Sequence, residues 1–172
     1  MHAIRNSFLC TLLFALAASA TSAAQLATAK VLEVKGTVSV YTGSQRPQPL
    51  QTGDILEAGD AVSASHLSSA KLAFSNGSIL TVEENTSLNI EDLQQAPFSG
   101  NRSYEQLKAD PSKSQTRLHL NYGTVSGEVK RLRNDSKFHI VTPIGTAAVR
   151  GTIFSVELRY NEERREMILF VT

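Results

Sequence analysis

Two runs of alternating apolar residues around a glycine-broken step do most to limit what this chain can fold into. They lie in residues 138–156, FHIVTPIGTAAVRGTIFSV. Phe138 and Ile140 alternate with Lys137 and His139, and Phe154, Val156, Leu158 and Tyr160 alternate with Ser155, Glu157 and Arg159. Period two is the signature of a half-buried strand. Pro143 has no N–H for a ladder and marks a strand end or an edge. Gly145 and Gly151 permit bends that a residue with a Cβ resists. The step between the two runs therefore reads as a sharp reversal.

The same punctuation runs through the first half of the chain. Val38 and Val40 precede Thr42-Gly43-Ser44. Leu72 and Phe74 precede Asn76-Gly77, a strong hairpin signal, and Leu80 with Val82, then Leu88 with Ile90, continue the series. Short strands at such spacing predict an all-β chain, a sandwich, barrel or solenoid. Gly36-Thr37-Val38-Ser39 recurs as Gly123-Thr124-Val125-Ser126, a faint internal echo in the direction of a solenoid. Residues 94–115 break the pattern with Pro97, Gly100 and Pro111. They read as a polar loop insertion with at most a short helix, one turn over Tyr104 to Ala109 behind a Ser103/Gln106 capping box. Such an excursion is either a plain surface connection or a binding loop.

Thr142-Pro143, then Ala147-Ala148-Val149, then Arg150-Gly151-Thr152, one residue and Phe154 resemble the signature of the FecR domain family. Upstream, Gly36-Thr37-Val38, Leu50-Gln-Thr-Gly-Asp54, Leu56-Glu-Ala-Gly-Asp60, Ser69-Ala70-Lys71-Leu72, Asn76-Gly77-Ser78 and Thr86-Ser87-Leu88 follow in an order similar to that family's pattern. The resemblance implies a twisted β-solenoid, or a sandwich-like stack of short antiparallel strands, over residues 25–172. It implies no catalytic residue and no cofactor. Its motif residues Thr142, Pro143, Arg150, Gly151, Thr152 and Phe154 are expected to be structural. Arg150 is expected to lock two turns of the sheet together, because a planar guanidinium fork suits a carboxylate or several carbonyls. Family members that regulate transcription add a cytoplasmic sigma-factor-binding domain and a membrane span. The seven residues before the apolar run here leave no room for that domain, so direct anti-sigma activity is not carried over. FecR domains also continue beyond Met167 to Val171 with another strand, so the domain reads as incomplete at that edge, open to self-association or to a partner strand.

The N-terminus reads as an export signal over residues 1–24. Arg5 supplies a positive start, Phe8 to Ala18 an apolar run, and Ser22-Ala23-Ala24 a small-residue cleavage site before Gln25. The rival reading is a retained anchor, since no charge separates Arg5 from Lys30. Against it, Ser19, Thr21, Ser22, Gln25 and Thr28 dilute a window in which about 20 apolar residues are needed to span. With the signal removed there is no stable membrane span, and the product is periplasmic or secreted. Cys10, the one cysteine, goes with the signal, which excludes disulfides, thiol nucleophiles and cysteine metal sites. The remainder holds sixteen basic and sixteen acidic residues, so no global field attracts nucleic acid.

Chemistry is hard to find. His119 among Leu118 and Leu120, and His139 between Phe138 and Ile140, fall on the outward face; with His66 they show no metal-ligand spacing. Asp54 and Asp60 follow glycines in turns, where Asp bonds nearby amides, and this accounts for them without the paired carboxylates of a glycosidase. No Gly-x-Ser-x-Gly elbow and no phosphate loop occur. Lys130, Arg131, Arg133 and Lys137 form one basic cluster, either a solvated hairpin loop or a contact for an anionic partner. Asn-x-Ser/Thr triplets at Asn76, Asn85, Asn101 and Asn134 all fall in predicted turns or loops. The function that fits is a non-catalytic exported module binding a protein or an envelope polymer. The alternative is a membrane-anchored signalling subunit of a FecR-type pathway from envelope to sigma factor.

Overall fold

The chain is all-β. A computed structural model describes residues 27–99 and 103–172, so the signal segment and Asn101 lie outside the described residues. Thirteen strands occur among the described residues: β1 (Ala29–Lys35), β2 (Val38–Thr42), β3 (Gln48–Pro49), β4 (Ile55–Leu56), β5 (Asp60–Ala64), β6 (Ser69–Phe74) and β7 (Ile79–Val82), followed by β8 (Thr86–Gln95), β9 (Ser114–Glu128), β10 (Lys137–Thr142), β11 (Gly145–Ala148), β12 (Ile153–Asn161) and β13 (Glu166–Val171). They form one curled sheet with two halves that share the long strand β9. The first part of β9 lies between β8 and β10 and completes the half β3-β2-β5-β8-β9-β10-β11. Its second part lies between β7 and β12 and completes β4-β1-β6-β7-β9-β12-β13. Every pairing is antiparallel except that of β9 with β10.

The repeated Gly-Thr-Val-Ser string marks two corners at which the chain passes from one half to the other. Gly36 joins β1 to β2 and Gly123 bends β9, with φ of 68° and 94°. Both are packed too closely for a side chain. A Cβ on Gly123 would run into Thr86 Oγ1 and stand 2.6 Å from the carbonyl oxygen of Asn85; one on Gly36 would run into Ser68 Oγ. At each corner the next residue donates its N–H to the same buried hydroxyl, Thr37 to Ser68 Oγ (2.8 Å) and Thr124 to Thr86 Oγ1 (2.9 Å). Each hydroxyl follows a residue of positive φ, Leu67 or Asn85. The four-residue echo is thus a pair of related corners rather than a winding repeat.

The core lies between the halves. Phe138 of β10 meets Phe74 of β6 edge-on at 5.7 Å and Phe154 of β12 at 6.3 Å, bridging both halves with one aromatic row. Val31, Leu72, Leu80, Leu88, Leu118 and Ile140 are among the fully buried side chains around it. The alternation holds through Leu158 and then fails. Tyr160 is 56% exposed, because the pairing of β12 with β9 ends at Leu158–Gly123 and only β13 accompanies it farther. The polar excursion is shorter than its composition implies. Gln94 and Gln95 still pair with Gln115 and Ser114, leaving residues 96–113 outside the ladder. Its helical content among the described residues is one 3-10 turn, Tyr104–Gln106, with no side-chain cap from Ser103. The hairpin at Asn76 is not a surface turn, since its side chain is buried, donating to Thr116 Oγ1 (3.3 Å) and accepting from Ser78 N–H (3.0 Å).

Candidate functional site

The motif residues lie where two sheet-crossing connections run side by side. Residues 129–136 carry the chain from β9 to β10, and residues 149–152 carry it from β11 to β12. One backbone bond joins the two, Val129 N–H to the Thr152 carbonyl (2.9 Å), and Val149 N–H reaches the Phe138 carbonyl of β10 (3.0 Å). Arg150 is exposed, and its Nη2 donates to the Arg133 carbonyl (3.2 Å) and Asn134 Oδ1 (3.1 Å). Gly151 sits at φ 60°. Thr142, buried, closes the β10–β11 turn by donating to the Gly145 carbonyl (2.9 Å), while Pro143 stays exposed beside it. Phe154 is in the core row. These six residues do not converge on one point, because Thr142 and Pro143 belong to a turn remote in register from Gly151.

The insertion folds down beside the crossing. The Thr28 and Tyr104 hydroxyls share a hydrogen bond of 2.8 Å, and Leu107 Cβ presses on Gly77. Ala109 bridges to Arg131, and Asp110 N–H donates to the Arg131 carbonyl (3.1 Å). A buried polar network pins its root: the Asp110 carboxylate accepts from Ser114 Oγ (2.8 Å) and Gln95 Nε2 (3.4 Å), and Ser114 N–H donates to Ser136 Oγ (3.0 Å). Between insertion and crossing lies a groove of about 540 Å³. Residues 105–108, 128–131 and 151–153 form its walls. A second hollow of about 460 Å³ continues past Arg131 to Asp135. Lys130 pairs with Glu128 at 2.6 Å. Ile153, on the groove wall, is 80% exposed. Its place between Thr152 and Phe154 was the available sequence signal, an apolar residue on the outward phase of a strand.

The remaining candidates serve other ends. Asp54 accepts the Gln51 N–H and Asp60 the Glu57 N–H, both at 2.8 Å, and Asp60 also accepts from Thr42 Oγ1 at 2.7 Å. His66 pairs with Glu84 at 2.8 Å and His119 with Glu91 at 2.9 Å, on different elements. The hydrogen bond from His119 holds the Glu91 carboxyl below its usual range; burial opposes this, and Arg117, at 2.7 Å, adds to it. Among the described residues, no three His, Cys, Asp or Glu side chains are grouped to hold a metal ion.

The model of the FecR protein family matches residues 60–170, more than half of the chain. The chain belongs to the FecR family, which serves signalling and regulation. The matched span begins at β5 and includes all six motif residues, leaving β1 to β4 outside it. No curated protein and no solved structure matches the chain.

Proposed function

We propose that the mature chain, from Gln25, is an exported, non-catalytic binding module of FecR type that holds a protein or envelope polymer in the groove beside Gly151. One observation carries this reading: the insertion, the basic segment and the Arg-Gly-Thr step, distant in sequence, wall a single groove. Concave sites where several segments converge are the usual place for a ligand. The balanced charge of the mature chain argues against nucleic acid. Among the described residues, no helix is long and apolar enough to cross a membrane. A photo-crosslinking residue in place of Ile153, activated in the native envelope, is expected to yield a discrete adduct that the same probe in place of Lys71 does not. Identical adduct patterns at both positions would remove the groove from consideration. Export is tested separately by intact mass: a species starting at Gln25 supports it, and retention of Met1 to Ala24 in the membrane fraction favours the anchored signalling subunit.

A further inference from the structure

Two carboxylates are buried among the described residues, and they are held differently. Asp60 accepts a backbone N–H at 2.8 Å and the Thr42 hydroxyl at 2.7 Å. Asp110, 6% exposed, accepts Ser114 Oγ at 2.8 Å and only a long contact of 3.4 Å from Gln95 Nε2. It belongs to none of the ion pairs among the described residues, and Arg131 and Arg133, which line the hollow beside it, stand beyond ion-pair distance. A buried carboxylate is paired, bound to a metal ion, or stripped of its charge. Gln95, also 6% exposed, points to the same place independently. It faces Ser114 across the β8–β9 ladder, and its Oε1 is buried with no hydrogen-bond partner among the described residues. Turning the amide over does not cure this. Oε1 would then face Asp110 Oδ1 with no proton between them, and Nε2 would inherit the unpaired position. A water molecule would satisfy the amide oxygen and leave the charge of the carboxylate uncompensated.

We propose that the Asp110 carboxylate, Gln95 Oε1 and the hydroxyls of Ser114 and Ser136 form a calcium site. Ser136 Oγ accepts the Ser114 N–H at 3.0 Å and Ser114 Oγ donates to Asp110, so both hydroxyl oxygens keep a lone pair for a cation. An all-oxygen donor set is that of a hard ion. With the amide turned, the 3.4 Å between Gln95 and Asp110 matches neighbouring ligands of an ion bound at about 2.4 Å. The mixture of carboxylate, amide and hydroxyl suits Ca²⁺, whose coordination is flexible, better than Mg²⁺, which demands a near-ideal octahedron. The hollow of about 460 Å³, whose wall includes Asp110, admits the ion and the water that completes its shell. A single carboxylate keeps the charge count low, which sets the affinity in the weak range of roughly 10⁻⁴–10⁻³ M. The ligands come from the end of β8, the insertion, the start of β9 and the residue before β10. Calcium thus fastens the insertion to the sheet at its root, two residues beyond the groove wall at 105–108.

The test is calorimetric titration of the exported chain, stripped with a chelator and exchanged into metal-free buffer, with calcium alone and with magnesium alone. One equivalent of calcium should bind in the stated range, raise the unfolding midpoint as a ligand of the folded state does, and slow hydrogen exchange over residues 96–113. Asp110→Asn keeps the shape and removes the charge, and should weaken calcium at least about tenfold. Gln95→Met removes the amide oxygen without touching the charge and should weaken it as well. Asp135→Asn, at the exposed mouth of the same hollow, leaves binding unchanged. Circular dichroism establishes that each variant is folded, and where one is not, the titration of the parent decides. No saturable binding up to about ten times the weak end of that range, equal binding of magnesium, or undiminished binding by folded Asp110→Asn would each overturn the site. Loss of binding on Asp135→Asn would overturn it too, by moving the ion to the surface. So would an Asp110→Asn midpoint that matches the parent's with and without calcium, since Asp110 is then held neutral by a proton. The groove crosslink from Ile153 reads a different place, so either proposal can fail without the other.

Discussion

Two glycines in the second half of the chain share a positive φ and differ in surroundings. A Cβ on Gly151 would find only Arg131 Cα, at 3.7 Å, whereas one on Gly123 would meet Thr86 and Asn85 at clashing distance. Both substitutions to Ala carry the left-handed strain of about 1–3 kcal/mol. Only Gly123→Ala adds overlap with backbone at the corner where β9 changes partners. We therefore expect Gly123→Ala to lower the denaturant midpoint clearly more than Gly151→Ala, and Gly151→Val more than His139→Ala, whose side chain lies on the outer face. Equal midpoints for the two glycine variants would mean that the β9 corner tolerates a side chain. Glu91 gives a pH signature at the same scale. Its carboxyl is depressed in the folded state by His119 first and Arg117 as well. The stability it contributes is present above the ordinary value of 4.5 and is lost as pH falls through the lower folded value. Exposed pairs of this kind contribute about 0–1 kcal/mol. The difference between the native chain and Glu91→Gln, followed by urea denaturation from pH 6 to pH 3, should shrink on acidification. A constant difference would show that the pair does not assist folding.

At the level of elements, the two Gly-Asp turns are near-copies with unequal duties. Each caps itself through an Asp carboxylate and the N–H three residues before it, but Asp60 also receives Thr42 Oγ1 and is buried to 8% exposure. Asp60→Ala leaves two donors unsatisfied in a closed site, and we expect a loss of about 2–3 kcal/mol. Asp54→Ala, half-exposed with one bond, should cost about 1 kcal/mol or less. Comparable losses, measured by chemical denaturation, would contradict this ranking. These turns were legible in the sequence because Asp and Gly act within three residues of themselves. The inward phase of β10 and β12 was legible for the same reason, as alternation is a local property. The corners at Gly36 and Gly123 were visible only as a repeated string, because their meaning depends on Ser68 and Thr86, which arrive from other strands. Arg150 was expected to tie two turns together, whereas its exposure and its acceptors in the 133–134 turn had no sequence signal. Asn76 had every mark of a surface hairpin but is buried, with its amide on Thr116 of β9 and with Leu107 of a distant insertion against the neighbouring Gly77. The groove was illegible for that reason: its walls come from segments whose proximity is set by β9.

Across the whole molecule, the two half-sheets end in unequal edges. The first half ends on β3, two residues that include Pro49, and on the short strand β11. Short strands and proline blunt an edge. The second half ends on β4, also two residues, and on β13, whose six residues Glu166–Val171 include five apolar ones in succession. One side of β13 pairs with β12 across the register Val156–Val171 to Asn161–Glu166, and Met167 and Leu169 lean on the core. Its other side meets no strand among the described residues. Ser155 and Thr172 exchange both backbone bonds at 3.0 Å, which fixes the phase of the ladder. The N–H groups of residues 168 and 170 then point at β12, and those of residues 167, 169 and 171 point away from it. A polypeptide ending at Thr172 therefore offers an apolar strand with free donors, and we expect it to self-associate with rising concentration in light scattering. Val171→Pro removes an outward donor without taking any bond from the β12 ladder. It should restore the monomer while leaving the unfolding midpoint near that of the parent. Arg159, 4.6 Å over the Phe170 ring, supplies a control, because Arg159→Ala exposes that ring without altering the edge donors. Association that follows Arg159→Ala rather than Val171→Pro would assign it to the sheet face instead of the edge. A parent chain that stays monomeric on concentration would withdraw the edge as a docking strand for any partner.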